Sequence, residues 1–264
     1  MKPVHKKSNT ALQLAGVFLG AGVFVLAFSV FLNLQVAAFI GLGLTFWGAV
    51  LALTRNSRYV ESSLLDGTAR SVYSTIDRVL NELGNSGKSY YLPASPKDVA
   101  LPEYLKNLKE PVVYISESPD GDGRPSIDEL ASGKFISTQT HGFFITSPGS
   151  GIMTQVENQL QLDLSKINLN ELAELLPKML TENLNLAKKS AMTLTPTGAT
   201  FKATGIIYDS LYNAESKPKS VALLGCPVVS AVASALAKNS GKTVTVKEQV
   251  TAPSNSVSAT LDFV

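Results

Sequence analysis

Charge is scarce in this chain and missing altogether from one stretch. Only 17% of its 264 residues are Asp, Glu, Lys or Arg, against about 25% in an ordinary soluble chain, while 45% are hydrophobic. No charged residue stands between Lys7 and Arg55, and the first acidic residue is Glu61. Lys2, Lys6, Lys7, Arg55 and Arg58 flank the uncharged block; removing these five from the 23 basic residues leaves 18 against 21 acidic ones from Tyr59 onward, a balance of −3. A mildly acidic domain lacks the basic footprint that nucleic acid requires, so no nucleic-acid partner is expected. Cysteine is equally rare: Cys226 stands alone, which excludes an internal disulfide framework and a multi-cysteine metal site. Of the two histidines, His5 lies in the basic tail and His141 in a polar stretch, and no Ser/His/Asp set is identifiable. No catalytic residue, metal or cofactor is expected. An Asn-x-Ser/Thr sequon is also missing, which suits a reducing, non-glycosylating compartment.

What the uncharged block does contain is two apolar runs. Ala11 to Leu32 holds about 22 residues, a helical rise of about 33 Å, and Val36 to Thr54 is of similar length; each suffices to cross a hydrocarbon core of about 30 Å. Asn33, Leu34 and Gln35 join them, so the spans are predicted to be antiparallel neighbours. Basic residues are retained on the cytoplasmic side, so residues 1–10 form a basic cytoplasmic tail and both termini lie inside a cell membrane crossed twice. The first run exceeds a signal-peptide core, and cleavage after Ala27 to Ser29 would still leave Arg55 and Arg58 to hold the rest inside. Gly16-x-x-x-Gly20, Ala37-x-x-x-Gly41 and Gly48-x-x-x-Ala52 place small residues one turn apart, which packs the hairpin on itself or on a second copy or partner protein. Neither span carries an ionisable residue, which argues against a self-sufficient ion path and leaves membrane lipid as the first partner.

Beyond the hairpin, residues 55–84 read as a juxtamembrane helix, with apolar Leu64, Leu65, Val72, Ile76, Val79, Leu80 and Leu83 at helical spacing and Gly84 as its C-cap. Residues 85–264 read as an α+β cytoplasmic domain with a mainly antiparallel sheet. Short strands are predicted at Tyr90 to Leu92, Pro111 to Ser116 and Gly142 to Thr146, with a turn-rich stretch at Glu117 to Ser126. Helices follow at Ile152 to Leu160 and at Leu169 to Leu184, the latter interrupted or restarted at Pro177. Ala191 to Thr195 and Ala199 to Tyr208 form a hairpin about Pro196-Thr197-Gly198, and Pro227 to Asn239 is helical with Pro227 at its first position. In the last two strands Val244, Val246, Glu248 and Val250 share one face, as do Val257, Ala259, Leu261 and Phe263.

Few motifs carry chemistry. Gly87-Lys88-Ser89 and Gly241-Lys242-Thr243 lack the earlier glycine of a phosphate-binding loop, Glu82 and Leu236 standing in its place, and each follows a helix. Asp120-Gly121-Asp122-Gly123 opens like a calcium loop but continues with Arg124 and Ala131 where ligands belong. Gly149, Ser150 and Gly151, between a strand and a helix, form a candidate anion or ligand loop, although Thr154 replaces the third glycine of a dinucleotide fingerprint and a structural turn explains them as well. Cys226 precedes a helix, whose N-terminus can activate a thiol, but its neighbours Leu223, Leu224, Val228 and Val229 are apolar.

Gly225-Cys226-Pro227-Val228-Val229-Ser230-Ala231, continuing through Lys238 to Gly241-Lys242-Thr243-Val244, resembles a family of uncharacterised archaeal two-span membrane proteins; the likeness runs back through Phe143 to Gly151 and includes the hairpin. It implies no activity. More distantly, the order of helix, Gly-Lys turn and two final strands resembles small-molecule-binding domains of the 4-vinyl-reductase type, whose several cysteines are here reduced to Cys226. The expectation is therefore a membrane-anchored, non-enzymatic binding or interaction module. The alternatives are a redox-active or ligand-sensing protein using Cys226 and an accessory subunit of a larger membrane complex.

Overall fold

A computed structural model describes residues 10–32, 34–53, 61–84, 87–95, 109–117, 127–138, 140–212, 217–252 and 254–264. The five flanking basic residues, Asn33 and the Asp120–Gly123 turn lie outside the described residues. The chain divides into two compact units, Met1–Val60 and Glu61–Val264.

In the first unit α1 (Thr10–Phe31) and α2 (Gln35–Leu53) pack antiparallel. Their seam runs through Ala15, Gly22 and Ser29 of α1, spaced seven apart, against Gly41, Thr45 and Gly48 of α2. A side chain at Gly22 would lie 2.5 Å from the Thr45 nitrogen and one at Gly48 2.6 Å from the Leu19 nitrogen, so the backbones touch. Gly16 and Gly20 are off this seam, with nothing within 4 Å of an added Cβ, because a line repeating every seven residues leaves out an i, i+4 pair turned about 100° from it. Ala37 is half-buried and Ala52 exposed. The outward surface is apolar, with Phe31 and Phe39 84% and 75% exposed. Ser29 and Thr45 donate to the Leu26 and Gly41 carbonyls within their own helices, so no side-chain hydroxyl there asks for water.

The second unit is an α+β domain on one antiparallel sheet of seven strands. β1 (Ser89–Tyr91), β2 (Val112–Ser116), β3 (Gly142–Thr146), β4 (Lys189–Thr195), β5 (Gly198–Thr204), β6 (Val244–Ala252) and β7 (Ser256–Phe263) lie in the order β3-β2-β1-β6-β7-β5-β4. The helices are α3 (Ser62–Leu83), α4 (Ile127–Ala131), α5 (Ser150–Leu160), α6 (Leu169–Lys178), α7 (Lys219–Leu224) and α8 (Pro227–Ser240). α8 is the centre of the core: every residue from Pro227 to Lys238 is buried, and its Ala, Ser and Val side chains let neighbours approach on all sides. Gly84 and Gly241 end α3 and α8 in the left-handed conformation, as glycine C-caps do.

Three details that refine or depart from the sequence expectation have local causes. At Pro177, which lacks an N–H for the ladder, the expected interruption takes the form of a π turn at Met179–Asn183. β5 ends at Thr204, because Gly205 takes a φ of 64°, and Ile206 to Tyr208 leave the sheet. A bulge between Val246 and Glu248 in β6 reverses the faces beyond it, so Val250 is 54% exposed while the Gln249 amide is buried.

Three helical stretches are long and apolar enough to cross a membrane, Leu14–Phe31, Gln35–Ala52 and Lys219–Ser240, which is compatible with a membrane protein. The third, unexpected one is α7 with α8; it is 89% buried within the fold and broken at Gly225.

Candidate functional site

The break between α7 and α8 gathers a set of buried hydrogen bonds from distant parts of the domain. Asp77 of α3 caps α7 from outside, accepting from Lys219 N at 3.0 Å and Ser220 N at 2.7 Å, and the Ser220 hydroxyl donates to the Tyr73 carbonyl. At its other end three successive carbonyls are taken by hydroxyls from distant elements: Ser89 Oγ donates to Leu223 O at 2.6 Å, Tyr91 Oη to Leu224 O at 2.5 Å and Tyr73 Oη to Gly225 O at 2.6 Å. Gly225 has a φ of 73°, which an L side chain rarely adopts, and an added Cβ would press on Val229 and lie 3.1 Å from Gln249 Oε1.

Cys226 follows as the N-cap residue of α8 and is fully buried. Burial pushes its thiol up, outweighing the stabilisation offered by Tyr212 and by the Val229 and Val228 amides at the helix start, so it stays protonated at neutral pH. Around it stand Tyr73, Tyr91, Tyr208 and Tyr212, all raised first by burial and all electrostatically coupled to the thiol; Tyr208 reaches about 12. Every phenol here is therefore a neutral donor. Two side chains are incompletely served: the Tyr212 hydroxyl faces the thiol but lies outside ordinary hydrogen-bond geometry to it, and Gln249 Oε1 and Nε2 are buried without a partner among the described residues. Sequence reading singled out Cys226 and passed over Gln249, whose burial follows from the β6 bulge.

The Gly149, Ser150 and Gly151 loop sits at the start of α5, where α5 crosses α8. A Cβ on Gly149 would lie 2.0 Å from Ala231 N, so only glycine permits this approach. Gly149 N donates to Ser230 Oγ at 3.1 Å, Ser147 Oγ shares hydrogen bonds with Ser230 and Ser234, and Ser150 N donates to Ser147 O. Of the three loop residues only Gly151 is exposed. Cys226 and this loop thus lie at the N-terminal end and the middle of one helix. Neither Gly-Lys triplet precedes a helix: the first leads into β1 and the second into β6.

Two charged clusters have no local sequence signal. Lys238, inside the otherwise apolar α8, reaches Glu157 Oε1 of α5 at 2.6 Å and Asp163 Oδ1 at 3.0 Å, all three side chains being under 10% exposed. Glu129 of α4 accepts from the Ser137 hydroxyl and from Thr138 N and Oγ1, which hold its carboxyl down at about 2. Among the described residues no group of three or more His, Cys, Asp or Glu is arranged to hold a metal ion.

Neither a curated protein nor a solved structure matches the chain. One family model, described as a domain of unknown function, covers nearly its whole length, hairpin and domain together, over residues 3–263. The chain belongs to this family, DUF7982.

Proposed function

We propose that this protein is a membrane-anchored, non-enzymatic binding module, with the α1–α2 hairpin in the bilayer and residues 61–264 on the cytoplasmic side together with both termini. The charge-free outward surface of the hairpin and the basic residues on either side of it support the anchor and its orientation. The ligand reading rests on one observation, the buried Gln249 amide beside Gly225, without a partner among the described residues. A buried polar group left unsatisfied costs about 1–3 kcal/mol, and a small neutral molecule offering both a donor and an acceptor would recover that cost. The protonated thiol and phenols favour a neutral guest over an ionic one.

The test is thermal unfolding of the full chain in detergent against a panel of small neutral hydrogen-bonding compounds. A ligand at one hundred times its Kd should add about 2.7 kcal/mol. Turnover of any such compound, or a shift that survives removal of the Gln249 amide, refutes the reading. Reporters fused at Val264 and near Gln35 test the orientation; an external signal at Val264 overturns it.

A second reading, self-association through the hairpin, draws on Gly16 and Gly20, which leave an open small-residue line on α1 away from the seam. Native mass spectrometry in detergent showing only monomer removes it.

A further inference from the structure

α3 turns one face to the core and another to solvent. Tyr73, Ile76 and Leu80 are buried, and two of its acids point into the domain, Asp66 accepting from Ser210 N and Oγ and Asp77 from the first amides of α7. On the opposite side Leu64, Gly67, Thr68, Ser71, Val72 and Thr75 form an uncharged strip about 16 Å long, after which Arg78 and Glu82 restore charge. Leu64 and Val72 are 62% and 50% exposed. The two threonine hydroxyls of the strip are already occupied, Thr68 Oγ1 donating to Leu65 O at 2.9 Å and Thr75 Oγ1 to Ser71 O at 3.1 Å, so these threonines present methyl groups outward. Back-bonding of this kind lets Ser and Thr tolerate a surface poor in water.

The tether argues for one occupant of this strip. Leu53 ends the second apolar helix and Ser62 begins α3, nine steps later, a distance of about 30 Å at full extension. With the hairpin in the bilayer, the strip is tethered beside a lipid surface at very high local concentration, whereas a second copy has to diffuse to it. Given the anchor proposed above, we infer that the N-terminal half of α3 docks on the lipid surface through Leu64, Thr68 and Val72. The N-terminal half of the helix enters the interface at a tilt, its apolar side chains about 5–10 Å into the boundary between headgroups and acyl chains, and the aspartates turned into the domain escape repulsion from anionic lipid.

The test uses the full chain in dioleoylphosphatidylcholine vesicles, with an environment-sensitive fluorophore on Thr68→Cys, Val72→Cys or Glu82→Cys, the unlabelled parent controlling for buried Cys226. Brominated phosphatidylcholine should remove roughly half the emission at residues 68 and 72 and little at 82, given that depth of insertion. Equal, weak quenching at all three positions, in a chain that resists alkaline extraction, overturns the docking and leaves the anchor intact. Release on alkaline extraction overturns both. Shielding at 68 and 72 that disappears as the lipid-to-protein ratio rises assigns the strip to a second copy and overturns the lipid contact.

Discussion

Gln249→Met tests directly whether the break between α7 and α8 is built for something other than stability. The Gln249 side chain buries two polar atoms that have no partner among the described residues, next to the steep turn at Gly225. In the unfolded chain both are hydrated, so folding forfeits those hydrogen bonds at about 1–3 kcal/mol for the group. Methionine keeps the length and nearly the volume of glutamine while removing both atoms, which limits the repacking cost. The variant should therefore be more stable by about 1–3 kcal/mol, which for a domain of this size raises Tm by roughly 2–10 °C. Calorimetry of the full chain in detergent measures it, and the same samples should lose any ligand-induced shift. A loss of about 1 kcal/mol or more would mean that the amide is satisfied in the folded protein, and the ligand reading would lose its support.

Other perturbations probe the remaining clusters. Lys238→Met leaves the Glu157 carboxylate buried without its cation and should cost about 3–5 kcal/mol, part of which Glu157→Gln restores in the double variant; denaturant unfolding of the four proteins closes the cycle. Glu129 titrates at about 2 in the folded protein against an ordinary 4.5, so its contribution is complete above 4.5 and is lost as the pH falls toward 2; Glu129→Gln should flatten acid unfolding in that window, and an unchanged profile refutes the assignment. In the hairpin, Gly48→Leu should destabilise by about 1–3 kcal/mol through overpacking against Leu19, whereas Gly20→Leu should leave the helix pair intact, as thermal unfolding in detergent can compare.

The legible parts of this fold are those whose cause is local. Charge-free runs of about twenty residues gave the hairpin, alternation in Val257 to Phe263 gave β7, and Pro227 with Gly241 bracketed α8. The illegible parts are set at long range. α7 has only six residues and is positioned by Asp77 and by hydroxyls from α3 and β1, more than a hundred residues away. Lys238 looks like an ordinary basic residue near a helix end until α5 supplies Glu157. Gln249 was hidden by the bulge, since strict alternation puts Glu248 on the inner face. In α1 the i, i+4 glycines drew attention from the wider Ala15, Gly22 and Ser29 repeat that makes the seam. The site was thus half visible: its thiol stood out by rarity, while the amide beside Gly225 did not.

The strand order has a consequence for synthesis. β1, β2 and β3 pair among themselves, as do β4 and β5, yet the two groups join only through β6 and β7, residues 244–263. On the ribosome the hairpin emerges nearly two hundred residues before these two strands, so until they appear the nascent domain carries unpaired edges. Closure waits for β6 and β7 to emerge, and until then the holding of those edges apart falls to the cell rather than to the fold.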